Sequence, residues 1–535
     1  MQKKNITPSD LYKKKYTFTI IVIILLGFIL RISQYLFNRS LWLDEACISL
    51  NITQRSFAEL LLPLDYAQGA PIGFLFIVKS LVILLGNSDW ILRLYSLLCG
   101  ILSILLFFNL AKIYLEEKAA IYSLTLFIFL DRLIYFSSEV KQYAGDVFWC
   151  ILLYIAYEKF LKKDLTVLKS LYFGLIGSIV VWFSHASVII LGGICIFIFL
   201  KNIFSRKIVF FKYFLLPCAL ISISIAIFYF ASLKGLSEQK NLLDYWGNAF
   251  MPLIPINVKD FKWFIISSLK FLKYFMGIST ENLVGIYFCN IGFSLSKLAK
   301  LNPGQFLMLL LIALNLAVIG LVSLMGAVSF YSKNKEHFFL LLLPIILTLI
   351  LSGFRKYPFL DRMLLFLFPT FCLFIAEGLS ALLKKRIYIN KTIILFVLTM
   401  IYIFPLTNGF YFLFKPRKNE EIKPIMEFVK KNWGGNDIIY LNNASYYAFS
   451  YYAKKYGFSI EDYMVIKKSL KKDWENYEDT LIQNGETKRL WVLLSHYQIA
   501  EKQNIILAIP DIGKEIISCF KPGAFTILVL PYVKN

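Results

Sequence analysis

The sequence predicts an all-α polytopic membrane domain followed by a small α/β domain at the C-terminus, and three features carry that expectation. Of 535 residues, 58% are hydrophobic and 17% charged, with a mean hydropathy of +0.65, too little polar surface for a soluble globule. Apolar runs of roughly twenty residues, the length that crosses a bilayer core, recur from the N-terminus to about residue 413. From about Lys415 charged residues become frequent and the apolar runs shrink to strand length.

Taken in order, Lys3, Lys4, Lys13, Lys14 and Lys15 precede an apolar run from Tyr16 to Phe37 with no small-residue cleavage site after it. This is read as a retained first membrane helix, near 17–36, and not as a removed signal peptide. Further spans fall near 91–113, 119–136, 145–161, 170–184, 187–201, 213–232, 305–330, 338–352, 363–383 and 391–413, making about eleven crossings. The stretch from Pro71 to Gly86 is short for a span and holds Lys79, so it either crosses or lies along the interface.

Charge parity decides between those options. If the stretch does not cross, Lys112/Lys118, Lys159/Lys162/Lys163/Lys169, Lys201/Arg206/Lys207/Lys212, Lys333/Lys335 and Lys384/Lys385/Arg386/Lys391 all share the side of the basic N-terminus. Short loops rich in Lys and Arg are cytoplasmic, so residues 71–86 are read as an interfacial or re-entrant helix. The expected topology is a multi-pass protein of the cell (plasma) membrane with a cytoplasmic N-terminus. Its outer face receives the first loop 38–90, the stretch 137–144, a long segment of about 233–304, the loop 353–362 and everything after about 414. The long segment includes FKWFIISSLKFLKYFMG, an amphipathic run suited to rest on the membrane surface, and Lys234, Lys240, Lys297 and Lys300.

The chain thus divides into a transmembrane domain, 1–414, and an extracytoplasmic domain, 415–535. In the latter, DIIYLN, RLWVLLS and FTILVLP read as strands alternating with the helical patterns EEIKPIMEFVKKNW and SYYAFSYYAKKYG. This tail reads equally as an acceptor-binding module and as a structural cap.

The net charge of +23 does not point to nucleic acid, because the basic residues sit in short clusters between apolar runs. Eight cysteines show no CxxC spacing and mostly lie in apolar stretches, so neither a disulfide framework nor a thiolate metal site is indicated. His185, His337 and His496 are scattered without metal-ligand spacing, and His496 reads as a structural strand-end residue.

The first outer loop, NRSLWLDEACISLNITQRSFAELLLPLDYAQGAPIGFLF, sets Asp44 and Glu45 just beyond the first helix. Two adjacent carboxylates at that depth are costly unless solvated or used. Taken alone, the pair reads first as an ordinary solvated loop acid capping the helix that begins there. The same outer level also carries Gln68 in QGAP, Asp89 and Arg93 at the start of the next span, Glu139, Lys141 and Tyr143 in SSEVKQYAGDVFW, and Arg355, Lys356 and Arg362 in the 353–362 region.

This ordered set resembles the GT-C superfamily, specifically the polyprenyl- or dolichyl-phosphate-sugar transferases related to protein O-mannosyltransferases and aminoarabinose transferases. WLDEA is similar to the family's acidic first-loop motif, so the resemblance implies that Asp44 is the general base and that Glu45 supports it. QGAP stands where relatives show His-Pro-Pro or Gln-Pro-Pro, with the first proline absent here. SSEVKQY resembles the family's Ser-Gln-Glu-Ala-Arg-x-Tyr stretch, with Lys141 in the arginine position. KYPFLDRMLLFLFP resembles a later outer-loop motif whose basic residue suits a lipid phosphate, and RLWVLLSH and GAFTILVL resemble the tail domain of bacterial members.

The implied function is transfer of a hexose- or mannose-like sugar from a polyprenyl-phosphate carrier to a protein, lipid or polysaccharide acceptor. A flippase, ligase or polymerase of lipid-linked glycans is the alternative. The chemistry itself needs a carboxylate to take the acceptor's proton and fixed positive charge to stabilise the departing phosphate. Asp44 suits the first task; Lys141, Arg355, Lys356 and Arg362 suit the second. A single displacement would invert the anomeric centre. No cofactor is required, and a divalent ion on the Asp44-Glu45 pair has no further ligand set in the sequence.

Overall fold

In a bilayer every backbone N–H and C=O must find its partner within the chain, so the apolar runs of this sequence become helices. The computed structural model describes residues 8–162, 166–204, 209–233, 244, 246–278, 302–384, 390–465 and 488–532. Lys3, Lys4, Lys163, Arg206, Lys207, Lys234, Lys240, Lys297, Lys300, Lys385 and Arg386, named above, lie outside the described residues.

The helices are α1 (Pro8–Leu36), α2 (Leu43–Gln54), α3 (Ile72–Leu85), α4 (Asp89–Tyr114), α5 (Glu117–Phe129) and α6 (Asp131–Phe136). They continue with α7 (Tyr143–Ala156), α8 (Val167–Val180), α9 (Ser187–Phe204), α10 (Val209–Phe228), α11 (Val258–Phe275), α12 (Pro303–Lys333), α13 (Lys335–Gly353), α14 (Phe368–Lys384) and α15 (Lys391–Phe414). Among the described residues, eight helices are long and apolar enough to cross a membrane, and the chain is a multi-pass membrane protein.

Three of the expected spans are not among those eight. The run near 119–136 breaks at Leu130 between α5 and α6, and Asp131, the first residue of α6, pairs with Arg417 of the tail. The run near 145–161 is α7 followed by a π turn, Tyr157–Leu161. The third is the 14-residue α8, capped by the Thr166 hydroxyl and closed by a turn. The amphipathic run becomes α11, which buries Ser267, Phe271 and Phe275 and exposes Val258, Phe261 and Ile265.

The bundle has two chemically distinct ends. At one, the basic loops meet acids: Lys201 pairs with Glu336 at 2.6 Å, Lys333 with Glu377 at 2.6 Å, Lys162 with Glu158 at 2.7 Å, and Lys384 with Glu116. At the other end lie α2, α3, the 137–142 turn, the 354–362 loop and the tail. Both ends of α3 belong there. Gln68 before it meets Lys141 at 2.6 Å, and Asn87 after it meets Tyr451 of the tail at 2.9 Å. Its 14 residues span about 21 Å, well short of a hydrocarbon core of about 30 Å. Lys79 is buried within the protein, its ammonium bound to Ile52 O at 3.0 Å.

The tail is a five-stranded sheet in the order β2-β1-β3-β5-β4, with β1 (Ile438–Leu441), β2 (Tyr463–Val465), β3 (Leu490–Ser495), β4 (Gly513–Lys521) and β5 (Ala524–Pro531). β1 runs parallel to β2 and β3, whereas β5 is antiparallel to β3 and β4. Period-two alternation sorts the central strands into two faces. Ile439 and Leu441 pack with Ile425 and Met426 of α16 (Ile422–Lys431) and Phe449 of α17 (Asn443–Tyr456). Ile438 and Tyr440 pack with Ile505 and Ile509 of α18 (Ile499–Ile512). The first of these clusters runs on without a break into Leu41, Ile48, Phe74 and Val140 beside the bundle.

Candidate active site

α2 is entered without a side-chain cap of its own, because Trp42 at the N-cap position cannot supply one. The tail provides it: Glu420 Oε2 accepts the N–H of Leu43 at 2.9 Å. Two carboxylates follow on the first turn, where a helix N-terminus favours negative charge, and they diverge. Glu45 is fully buried. It receives Arg93 Nε at 2.9 Å and Nη2 at 2.7 Å, a bidentate pair, together with the N–H of Val140 at 2.8 Å. Arg93 also donates to the carbonyls of Arg39 and Ser40 at 2.8 and 3.3 Å. Glu45 and Arg93 therefore fasten the first loop to α4 and to the 137–142 turn.

Asp44 turns the other way and keeps 19% of its side chain exposed. Arg362 Nη1 lies 2.6 Å from its carboxylate and Lys141 Nζ 4.0 Å, and Gln68 hydrogen-bonds to it as well. Gln68 Oε1 accepts from Lys141 at 2.6 Å, and Gln68 follows two residues with left-handed backbones, Tyr66 at φ 63° and Ala67 at φ 51°. Strain of this kind persists where the surroundings fix it, and here it presents Gln68 to the site. Arg362 follows Asp361, also left-handed at φ 44°. Its guanidinium stands over the rings of Trp42, Tyr143 and Trp246 at 5.7, 5.7 and 5.8 Å.

Beneath this cluster Glu139 is buried, its Oε1 accepting from Trp42 Nε1 and, at 2.7 Å, from Tyr135 OH. Its Oε2 has no hydrogen-bond partner among the described residues. Burial and the neighbouring Glu45 push its carboxyl above the usual range, against Arg39, Tyr135 and Arg362. Burial also works to raise Asp44, but Lys141, Arg362 and the Gln68 hydrogen bond outweigh it and hold the carboxyl below its ordinary value. Burial lowers the Lys141 ammonium, with Arg362 adding to that effect and Asp44 opposing it.

Of the residues singled out in the sequence, Asp44, Gln68, Glu139, Lys141, Tyr143 and Arg362 meet. Arg355 and Lys356 are exposed and outside the cluster; Arg355 is left-handed at φ 56° with its guanidinium over Phe250 at 5.9 Å. Arg93 and Glu45 are sealed into the scaffold beneath it. Because Glu45 faces Arg93 and Asp44 faces two cations, the two carboxylates do not converge on one ion. Among the described residues, no group of three or more His, Cys, Asp or Glu is placed to hold a metal.

Sequence reasoning missed the tail's part. His496 follows β3 with a left-handed φ of 50°, its Nδ1 2.5 Å from Glu420 Oε1 and its ring 6.5 Å from that of Trp42. Glu420 and His496 lie 76 positions apart, and only the sheet brings them together. The one local sign was the separation of His496 from any metal-type spacing, which carries no information about a carboxylate partner.

No family model and no curated relative matches this chain. Among solved structures, ArnT from Cupriavidus metallidurans in the apo state is similar over 97% of this chain and 98% of its own, with a TM-score of 0.52 and 9% identity. The same protein bound to undecaprenyl phosphate covers 96% of this chain and 98% of its own at a TM-score of 0.45 and 12% identity. The archaeal oligosaccharyltransferase AglB from Archaeoglobus fulgidus, in complex with an inhibitory peptide and a dolichol-phosphate, covers 96% of this chain and 74% of its own, with a TM-score of 0.49 and 13% identity. The likeness to apo ArnT is one of fold and extends over nearly the full length of both chains; the chain has this GT-C-like fold.

Proposed function

We propose that this protein is a glycosyltransferase that moves a hexose- or mannose-like sugar from a polyprenyl-phosphate carrier to an acceptor at the extracytoplasmic face of the membrane. The observation that carries this reading is the meeting of one part-exposed carboxylate, Asp44, with two cations, Arg362 and Lys141, at the tail-bearing end of the bundle. The opposite end gathers the short basic loops, which supports a cytoplasmic orientation for it and for the N-terminus.

In the resting arrangement Arg362 and Lys141 hold Asp44 ionised. A lipid phosphate entering between the two cations supplies the anion they now take from Asp44, and leaves that carboxylate to the acceptor. The acceptor oxygen attacks the anomeric carbon, its proton passes to Asp44, and the bond from that carbon to the phosphate oxygen breaks. Polyprenyl phosphate departs with the electron pair, its charge met by Arg362 and Lys141. Attack opposite the leaving phosphate inverts the anomeric centre.

The test is transfer by purified protein in lipid nanodiscs from a radiolabelled polyprenyl-phosphate hexose. Asp44→Asn should lower the rate by about 10²- to 10⁴-fold, the range of a lost proton acceptor. A wild-type rate in that variant overturns the role of Asp44.

A further inference from the structure

Beside the reaction site, on the tail, lies an open cavity of about 620 Å³ lined chiefly by Asn419, Glu420, His496, Tyr497, Gln498 and Glu501. Its inventory is two carboxylates, two carboxamides, an imidazole and a phenol, with no lysine or arginine lining it among the described residues. It adjoins the first turn of α2. One oxygen of Glu420 holds the N–H of Leu43, the residue before Asp44, and the other holds His496. The His496 ring in turn neighbours Trp42, over which Arg362 stands. The backbone is drawn tight at this point: His496 N donates to Gly523 O at 3.2 Å, and a Cβ on Gly523, itself at φ 64°, would lie 2.0 Å from Asn419 O. A left-handed backbone is uncommon for a residue other than glycine and persists where the surroundings fix it. The fold nevertheless holds this imidazole, 47% exposed, at the mouth of the cavity.

The two neighbouring sites differ in the charge they would accept. Around Asp44 two cations await an anion, whereas the tail cavity sets two carboxylates, Glu420 and Glu501, against the single imidazole of His496. An anionic headgroup would face two carboxylates with one imidazole between them to offset their charge. Hydroxyl groups match instead, because each donates and accepts, and carboxylates and carboxamides present paired sites for adjacent hydroxyls. The Tyr497 ring, packed against Phe525 and with Lys502 Nζ 5.7 Å from its centroid, adds an aromatic surface with a polar tip.

We propose that this cavity is the acceptor subsite and that it binds a neutral saccharide, delivering one of its hydroxyls to Asp44. The word acceptor rests on the glycosyltransferase reading; saccharide binding in the cavity does not. His496, oriented through Nδ1 by Glu420, presents Nε2 to the sugar, and Glu501 and Gln498 take hydroxyls further from the membrane. Nearness of the Glu420 carboxylate favours the protonated imidazole, although burial opposes it.

The experiment uses the full-length protein in lipid nanodiscs and saturation-transfer NMR with four probes: a neutral hexose tetrasaccharide in α- and in β-linked form, a uronic-acid tetrasaccharide, and a lysine-rich peptide. At least one neutral tetrasaccharide should bind, and His496→Ala and Gln498→Ala should each weaken it by about tenfold, the loss of one or two hydrogen bonds. The paired variants, with thermal melting as a folding check, separate loss of contact from loss of structure. Asp44→Asn should still bind the saccharide. The proposal is overturned if no neutral probe binds up to ~20 mM, if both tail variants bind as the wild type does, or if the uronic acid or the peptide binds in preference. Saccharide binding without any cleavage of the lipid-phosphate donor would sink the transferase reading and leave the cavity as a sugar site.

Discussion

Asp44 and Glu45 are adjacent in sequence and opposite in consequence, which makes them a test of site against scaffold. Glu45→Ala would leave the guanidinium of Arg93, 1% exposed, without its counter-ion. Removing one member of a buried pair costs about 3–5 kcal/mol, so this variant should melt earlier in detergent and lose transfer together with stability. Asp44→Asn should lose transfer at a nearly unchanged melting temperature, since its carboxylate is part-exposed. The depressed Asp44 carboxyl also fixes the sign of a pH effect. A depressed group stays ionised as pH falls through the usual carboxylate range of about 4, so the acid limb of kcat/KM for the free enzyme should lie below it. Arg362→Gln removes one of the cations responsible, and the limb should move towards neutral pH; a limb that stays put would deny Arg362 its hold on Asp44. The pair itself was legible in the sequence, as was the level at which it sits. Which groups each carboxylate meets was not, because the partners lie 48 and more positions away: Arg93 and Val140 for Glu45, Lys141 and Arg362 for Asp44.

Among the helices, the tightest contact is the crossing of α12 and α14. A Cβ on Gly326 would lie 1.8 Å from Phe374 O, and one on Gly378 2.0 Å from Val322 O, so the two backbones touch where both helices lack side chains. Lipid tails are as apolar as leucine, and close approach through small residues is a main source of helix association in a bilayer. Gly378→Ala must push backbone against backbone and should destabilise the bundle by about 1–3 kcal/mol, read as a lower melting temperature in detergent. Gly192→Ala, whose Cβ would meet only the Leu347 side-chain tip at 3.4 Å, is the matched control and should melt close to the wild type. Long apolar helices such as α1, α4 and α12 were readable because hydropathy is a local property. The break at Leu130 was not, and the partner of the neighbouring Asp131 lies 286 positions away, at Arg417 in the tail. In the sheet, buried β1, β3 and β5 announced themselves, while β4 hid behind Lys514, Glu515 and Lys521, the charges that an exposed edge strand carries. The short edge strand β2 and the helix α18 likewise went unread.

At the scale of the whole molecule, the tail is not a separate module hung on the bundle, and this decides how the site is held. Asp89, at the start of α4, accepts from Lys423 at 2.9 Å and from Tyr452 at 2.7 Å. The Tyr452 oxygen also accepts the N–H of Leu41 at 3.0 Å, and Ser40 Oγ donates to Glu421 at 3.2 Å. Leu43 is capped by Glu420. Three of the four positions before Asp44 are thus hydrogen-bonded to the tail, and the hydrophobic cluster beneath them is shared. The tail therefore supplies the rigidity that the first loop lacks. Tyr452→Phe keeps the ring in its pocket and removes only the hydroxyl, which leaves the buried N–H of Leu41 without a partner and Asp89 with one fewer. Each loss is about 1 kcal/mol, so local opening of the first loop should become on the order of tenfold more frequent. Hydrogen exchange followed by mass spectrometry should show faster exchange in residues 40–46 and unchanged exchange in α12 and α14, with transfer falling in step. Wild-type exchange in 40–46 would mean that α2 keeps its place without the tail, and the acceptor cavity would then be a neighbour of the site and not a part of it.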